Sequence, residues 1–153
     1  MKFKDKTIGR TTSFKFLYFL LFERRIDSLA DVNEHVEEEL ELFTHSLDIK
    51  EKEEPDYSLT DEAIFISKQI IHKALNEQKF IEEKIDKFTN GKCNKIERAI
   101  IYSALAESLT FKDTPKKVLI NEYIELGKKF GTKSSAAFIN ALLDKAIEEV
   151  HEN

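Results

Sequence analysis

Tryptophan is absent from this chain of 153 residues, cysteine and methionine occur once each, and glycine and proline number only four and two. Each shortage excludes something. A single cysteine, Cys93, forms neither an intramolecular disulfide framework nor a zinc-binding pair. So few punctuators give little material for the tight turns of an all-β chain and favour long helices. The longest nearly apolar run, Phe14 to Phe22, contains Lys15 and is about half the length needed to span a bilayer. The start MKFKDKTIGR lacks the apolar stretch of a secretory signal, so a reducing cytoplasm is the expected compartment and no membrane partner is expected. Without tryptophan, the aromatic load falls on 12 Phe and 4 Tyr, mostly as core candidates.

What is present suits one globular domain spanning residues 1–153. A chain of this length buries roughly two thirds of the surface it exposes when unfolded. An apolar fraction of 41% argues against disorder, and 35% charged residues supply a soluble surface. The net charge of -5 counts against a polyanionic partner, but its distribution weakens that objection. Residues 1–25 carry a local balance of +5, whereas residues 31–62 carry 13 acidic groups against two lysines. Residues 1–10 therefore read as a basic N-terminal arm able to meet phosphates.

Periodicity fills the chain with helices. Phe14, Leu17, Tyr18 and Leu21 predict a helix from about Thr11 to Arg25, apolar almost all round. Ser28 begins a second, with Val32, Val36, Leu40 and Phe43 as its stripe and Glu37, Glu38, Glu39 and Glu41 on its wet face. Residues 48–56 read as a loop, and Ser58 with Asp61 as the cap of a third helix through Ile64, Ile70 and Ala74. Phe80, Ile81, Ile85 and Phe88 continue it or form another, since Asn76 is only a weak breaker. A turn at 89–94 leads to a capping box, Asn94 with Glu97, and a helix through Ala99, Ile100 and Leu105. Thr114 is expected to cap the next helix with Pro115 in its first turn, and Gly131 to end it in the left-handed conformation. The last helix starts near Thr132 or Ser134, with Phe138, Leu142, Ala146 and Val150 along one side and Ile139 and Leu143 beside them.

No phosphate-binding glycine loop, dinucleotide fingerprint or HExxH motif occurs, and His35, His45, His72 and His151 are dispersed. No constellation of residues suggests a reaction, a metal or a cofactor, and the chain reads as a non-enzyme.

Two blocks are more specific. PKKVLINEYIELGKKFGTKSSAAFINALLDKAIEEV, residues 115–150, closely resembles the C-terminal signature P-x-K-V-x-I-N-E-x-I-E-L-x-K-x-F-G, then F-V-N-G-x-L-D-K, of the bacterial transcription antitermination factor NusB family. IERAIIYSALAE, residues 96–107, resembles the preceding V-E-x-A-I-L-R-x-A-x-Y-E, and Arg10, Leu17 and Tyr18 match R-x-x-x-x-x-x-L-Y. The resemblance implies an all-α fold, a single NusB-like domain of about seven helices in two packed subdomains, and no enzymatic activity. It implies binding of boxA-type single-stranded RNA together with the ribosomal protein NusE, within an RNA polymerase antitermination complex. The RNA surface would use Lys2, Lys6, Arg10, Ser134, Ser135 and Phe138, with cations on phosphates and the Phe138 ring on a base. The NusE face would include Glu97, Arg98, Lys117, Asn121 and Glu122. Glu97 has a second reading as a capping acid, and the broadly apolar first helix permits a homodimer.

The departures from the pattern bear on RNA. Thr7, Ile8 and Gly9 stand where the family carries consecutive arginines, leaving Arg10 alone. Lysine lacks arginine's bidentate fork, so the contact is expected to be weaker. Tyr102 replaces an arginine, Ser134 and Ala137 replace charged residues, and Ala141 replaces a glycine. The alternative expectation is therefore a NusB-like protein-only adaptor with weakened or lost RNA recognition.

Overall fold

A computed structural model describes residues 3–23, positions 36, 38–41 and 43, and residues 60–152. Lys2, the loop at 48–56, the expected cap at Ser58 and most of the expected second helix lie outside the described residues. Helices α1 (Phe3–Tyr18), α2 (Asp61–Asn76), α3 (Gln78–Thr89), α4 (Lys95–Thr110), α5 (Lys116–Phe130) and α6 (Ser135–Glu152) account for most of what is described. A π-helical turn, Phe19–Glu23, continues α1. No strand occurs among the described residues, in keeping with the all-α expectation. No described helix is long and apolar enough to cross a membrane.

Helix α4 is the axis. Its sequence mixes Ile with Ala and Ser on every side, so it is buried all round rather than along one stripe, from Ala99 through Ser108. Helices α1 and α2 pack on each other and on α4, as do α5 and α6, and α3 touches α2, α4 and α6. Phe16 and Leu17 of α1 and Leu20 of the π-helical turn are fully buried in this core, each contributing roughly 1.5–3 kcal/mol by leaving water. Val36 and Leu40 are buried as their stripe predicts. The Phe43 ring meets Phe16 at 5.3 Å and Phe19 at 5.6 Å. The apolar face that allowed a homodimer is thus largely spent inside the chain.

Three expectations fail locally, each for a physical reason. The basic arm is helical from Phe3, because α1 must continue across α2. A Cβ at Gly9 would lie 2.8 Å from Ile66 Cγ2, and Ser13 and Ser67 donate to the Gly9 carbonyl at 2.7 and 3.1 Å. Asp5 accepts a 2.7 Å bond from Thr60, whose hydroxyl also accepts from Ala63 N and so caps α2. Thr114 is not the cap of α5. Pro115 occupies that place with extended backbone (ψ 139°), and the buried Thr114 hydroxyl has no hydrogen-bond partner. Gly131 is extended (φ -93°, ψ -163°) rather than left-handed, so it serves space rather than φ. A Cβ there would lie 2.5 Å from Ser135 Oγ. The left-handed helix end is at Asn90 (φ 54°), followed by Gly91 (φ 76°) in the predicted turn. The stripe left open at Asn76 resolves into two helices separated by Glu77.

Candidate functional site

The amino ends of α4 and α6 meet at one carboxylate. The capping box is formed as the sequence predicts: Asn94 Oδ1 accepts from Glu97 N at 2.8 Å, and Asn94 N donates to Glu97 Oε1 at 3.0 Å. The second oxygen, Oε2, accepts a 2.7 Å bond from Ser135 Oγ. Ser135 Oγ also accepts from Thr132 N at 2.9 Å, closing the turn between α5 and α6. Glycine makes this approach feasible, since a Cβ at Gly127 would lie 2.7 Å from Ile139 Cδ1. Both Glu97 and Ser135 are buried. Their polar atoms hold the junction, and Ser134 beside them is exposed.

Arg10 departs furthest from its expected role on an open cationic arm. It is 3% exposed, its Nε and Nη2 each donating to Glu107 at 2.8 Å. Tyr123 donates to the same carboxylate at 2.8 Å and meets Ser103 Oγ at 2.9 Å. Burial works to lower the Arg10 pKa, but the Glu107 carboxylate outweighs it and leaves the guanidinium above its ordinary value. Burial, then Glu107, pushes the Tyr123 hydroxyl well above the usual range. Arg10 Nη1 makes no hydrogen bond, and Glu122 Oε2 lies 3.7 Å from it. A guanidinium so enclosed does not reach a phosphate at the surface. A signal for this existed: Glu107 is an acid in a helix of small and apolar residues, and Arg10 is the one charge between Thr7 and Phe14.

The other expected residues divide between surface and packing. Lys6 and Phe138 are half-buried, and Lys117 and Asn121 are exposed on α5 with Glu122 half-buried beside them. Arg98 pairs with Glu82, which also accepts from the Tyr102 hydroxyl. Tyr102 thus occupies the place of the family's arginine as a donor to α3. Burial, with Glu82, raises its hydroxyl above the ordinary range. Burial likewise pushes the Cys93 thiol up, away from the thiolate a nucleophile needs. Among the described residues no group of three or more His, Cys, Asp or Glu side chains could hold a metal.

One feature escaped the sequence reading. Phe14, Lys15, Tyr18, Ile96 and Phe130 line an open pocket of about 230 Å³. The ammonium groups of Lys15 and Lys129 each lie 5.3 Å from the Phe130 ring centroid. Tyr18 meets Phe22 at 5.6 Å, and Lys95 lies 5.6 Å over Phe22. Three separated segments supply these groups, and in each of them helical period alone reads the aromatics as core.

Fold and site together define the class, an all-α helix-bundle domain with a basic, aromatic face. The NusB family model matches residues 17–148. Among relatives named transcription antitermination protein NusB, that of Oceanobacillus iheyensis is 36% identical over 117 residues, covering 76% of this chain and 86% of the relative. That of Desulfitobacterium hafniense strain DCB-2 is 30% identical over 121 residues, covering 74% and 82%. The chain belongs to the NusB family. A solved structure of T. maritima NusB matches with a TM-score of 0.71 and 23% identity over 97% of both chains, a likeness of fold. Family membership makes the chain a non-enzymatic protein, as the resemblance implied.

Proposed function

We propose that this protein is an adaptor in transcription antitermination that binds boxA-type single-stranded RNA together with the ribosomal protein NusE and joins the RNA polymerase antitermination complex. Beyond family membership, one observation carries the reading. The hydrogen bond from Ser135 to Glu97 joins the segment expected to meet RNA to the segment expected to meet NusE. Two ligands bound on either side of that bond would share a single rigid junction. Lys2, Lys6, Ser134 and Phe138 remain the RNA-facing candidates, and Arg98, Lys117, Asn121 and Glu122 the partner-facing ones. Arg10 and Ser135 then act by holding the scaffold.

The burial of Arg10 favours a second reading, a protein-only adaptor that has lost RNA recognition. Titration of labelled boxA-type and scrambled RNA, with and without NusE over a salt series, decides between them. The adaptor reading expects boxA to be preferred and NusE to tighten binding. NusE binding with no preference between the two RNAs selects the protein-only reading. No RNA binding at moderate salt, with or without NusE, rejects the RNA role.

A further inference from the structure

We propose that Glu82 of α3, itself fixed by Tyr102, is a positioning residue for Arg98: it holds the Arg98 guanidinium at the seam of α3 and α4 in the orientation in which the protein partner meets it. This deepens the partner half of the proposed function and rests on it, because that reading places Arg98 on the NusE side.

Arg98 closes the first turn of α4, its N–H bonded to the Asn94 carbonyl at 2.9 Å. The amino end of a helix is its positive pole, so a cation there is disfavoured unless a carboxylate lies close. The acid next to it in sequence is already spent. Glu97 gives one oxygen to the Asn94 backbone and the other to Ser135. Glu82 supplies the counter-charge from another helix, its Oε2 accepting from Arg98 Nη1 and its Oε1 from the Tyr102 hydroxyl. Tyr102 lies one turn beyond Arg98 on α4, so two donors on one helix face divide the two oxygens between them and fix the carboxylate. Cys93 and Gln78 also reach Arg98 and Tyr102 respectively. Neither brings a charge.

The arrangement depends on the residue at position 102. Tyr102 stands where the family signature has an arginine. A second guanidinium would share the Glu82 carboxylate, whereas a tyrosine orients it without adding a charge. The pair stays open to solvent, with 19% of the Arg98 side chain and 34% of the Glu82 side chain exposed. Arg98 can therefore meet a partner with its remaining N–H groups. An unrestrained arginine samples many rotamers, and ordering it on binding weakens affinity. Glu82 imposes that order before the partner arrives.

The test measures NusE affinity for wild type, E82Q, R98Q and E82Q/R98Q, with Y102F as a second route to the same carboxylate and a thermal melt of each variant. E82Q is expected to weaken binding roughly three- to tenfold, and Y102F to weaken it less. Once Arg98 is gone E82Q should add nothing, so that E82Q/R98Q binds as R98Q does. A Glu82 that only supports the fold would weaken binding by the same factor in both backgrounds, and that result overturns the proposal. Tighter binding in E82Q also overturns it, since Glu82 would then compete with the partner for Arg98. R98Q binding as tightly as wild type overturns it by placing Arg98 outside the contact, and leaves the adaptor reading standing. Should E82Q fail to fold, Y102F and Y102F/R98Q make the same comparison. Failure of wild type to bind NusE brings down the adaptor reading and this proposal together.

Discussion

Arg10 on α1 grips Glu107 on α4 with two hydrogen bonds of 2.8 Å, across 97 residues of sequence and with both side chains out of solvent. The pair anchors the first helix to the central one. Removal of one partner strands the other as a buried charge, whereas removal of both does not. R10M is expected to lower the unfolding free energy by about 3–5 kcal/mol, and R10M/E107M to recover most of that loss. Urea midpoints of the two single variants and the double variant measure the coupling. Equal loss in R10M and R10M/E107M would show that the helix contact depends on something other than the pair. Alanine at Lys2, Lys6 and Arg10 together, the natural test of an open arm, would therefore report stability as much as RNA contact.

Ser135 and Ser134 are neighbours with opposite expected responses. Ser135→Ala removes the donor to Glu97 and the acceptor for Thr132 N, at a cost of about 1–3 kcal/mol. Ser134→Ala, at an exposed position, is expected to stay within about 0.5 kcal/mol of wild type. Chemical denaturation of the two variants separates them. An RNA effect of Ser134→Ala without a stability change would mark a direct contact.

Gly131→Ala places a Cβ 2.5 Å from Ser135 Oγ in a backbone conformation that any residue adopts. The expected cost is about 1–3 kcal/mol of overpacking, together with disruption of the bond to Glu97. Gly91→Ala meets only Asp86 Oδ1, at an ordinary contact distance of 3.8 Å, but has a φ of 76°, and its cost is strain of about 1–2 kcal/mol. Amide hydrogen exchange distinguishes the two. Gly131→Ala should speed exchange at the starts of α4 and α6, and Gly91→Ala only near the turn after α3.

Tyr102 and Tyr123 hold their protons more tightly folded than unfolded, through burial first and a neighbouring carboxylate second. A hydroxyl whose pKa is raised by folding contributes stability that is complete below the unfolded value near pH 10 and is lost as pH rises toward the folded one. Stability is therefore expected to fall above about pH 10, by up to ~1.4 kcal/mol per pH unit for each tyrosine. Y102F should flatten that limb while costing some stability at neutral pH from the lost bond to Glu82. A limb equally steep in Y102F would show that the hydroxyl does not titrate with unfolding.

The sequence by itself determined the helices and the family. Period, caps and signature residues act within a turn or two of the chain, so the Asn94 and Glu97 capping box, the core stripe of α6 and the turn at Asn90 were all readable. The same locality explains the misreadings. For Pro115 and Gly131 the sequence shows only what each residue allows its own backbone to do, while their roles depend on Thr114 being buried and on Ser135 Oγ lying 2.5 Å from an added Cβ. Arg10 could be named as a cation but not located. Whether a guanidinium meets phosphate or core depends on the carboxylate opposite it, and that carboxylate belongs to a helix 97 residues away. Only the tertiary structure decided that Arg10 serves the core while Lys15, Lys95 and Lys129 gather from three segments around two aromatic rings, because side chains distant in sequence become neighbours only when helices pack.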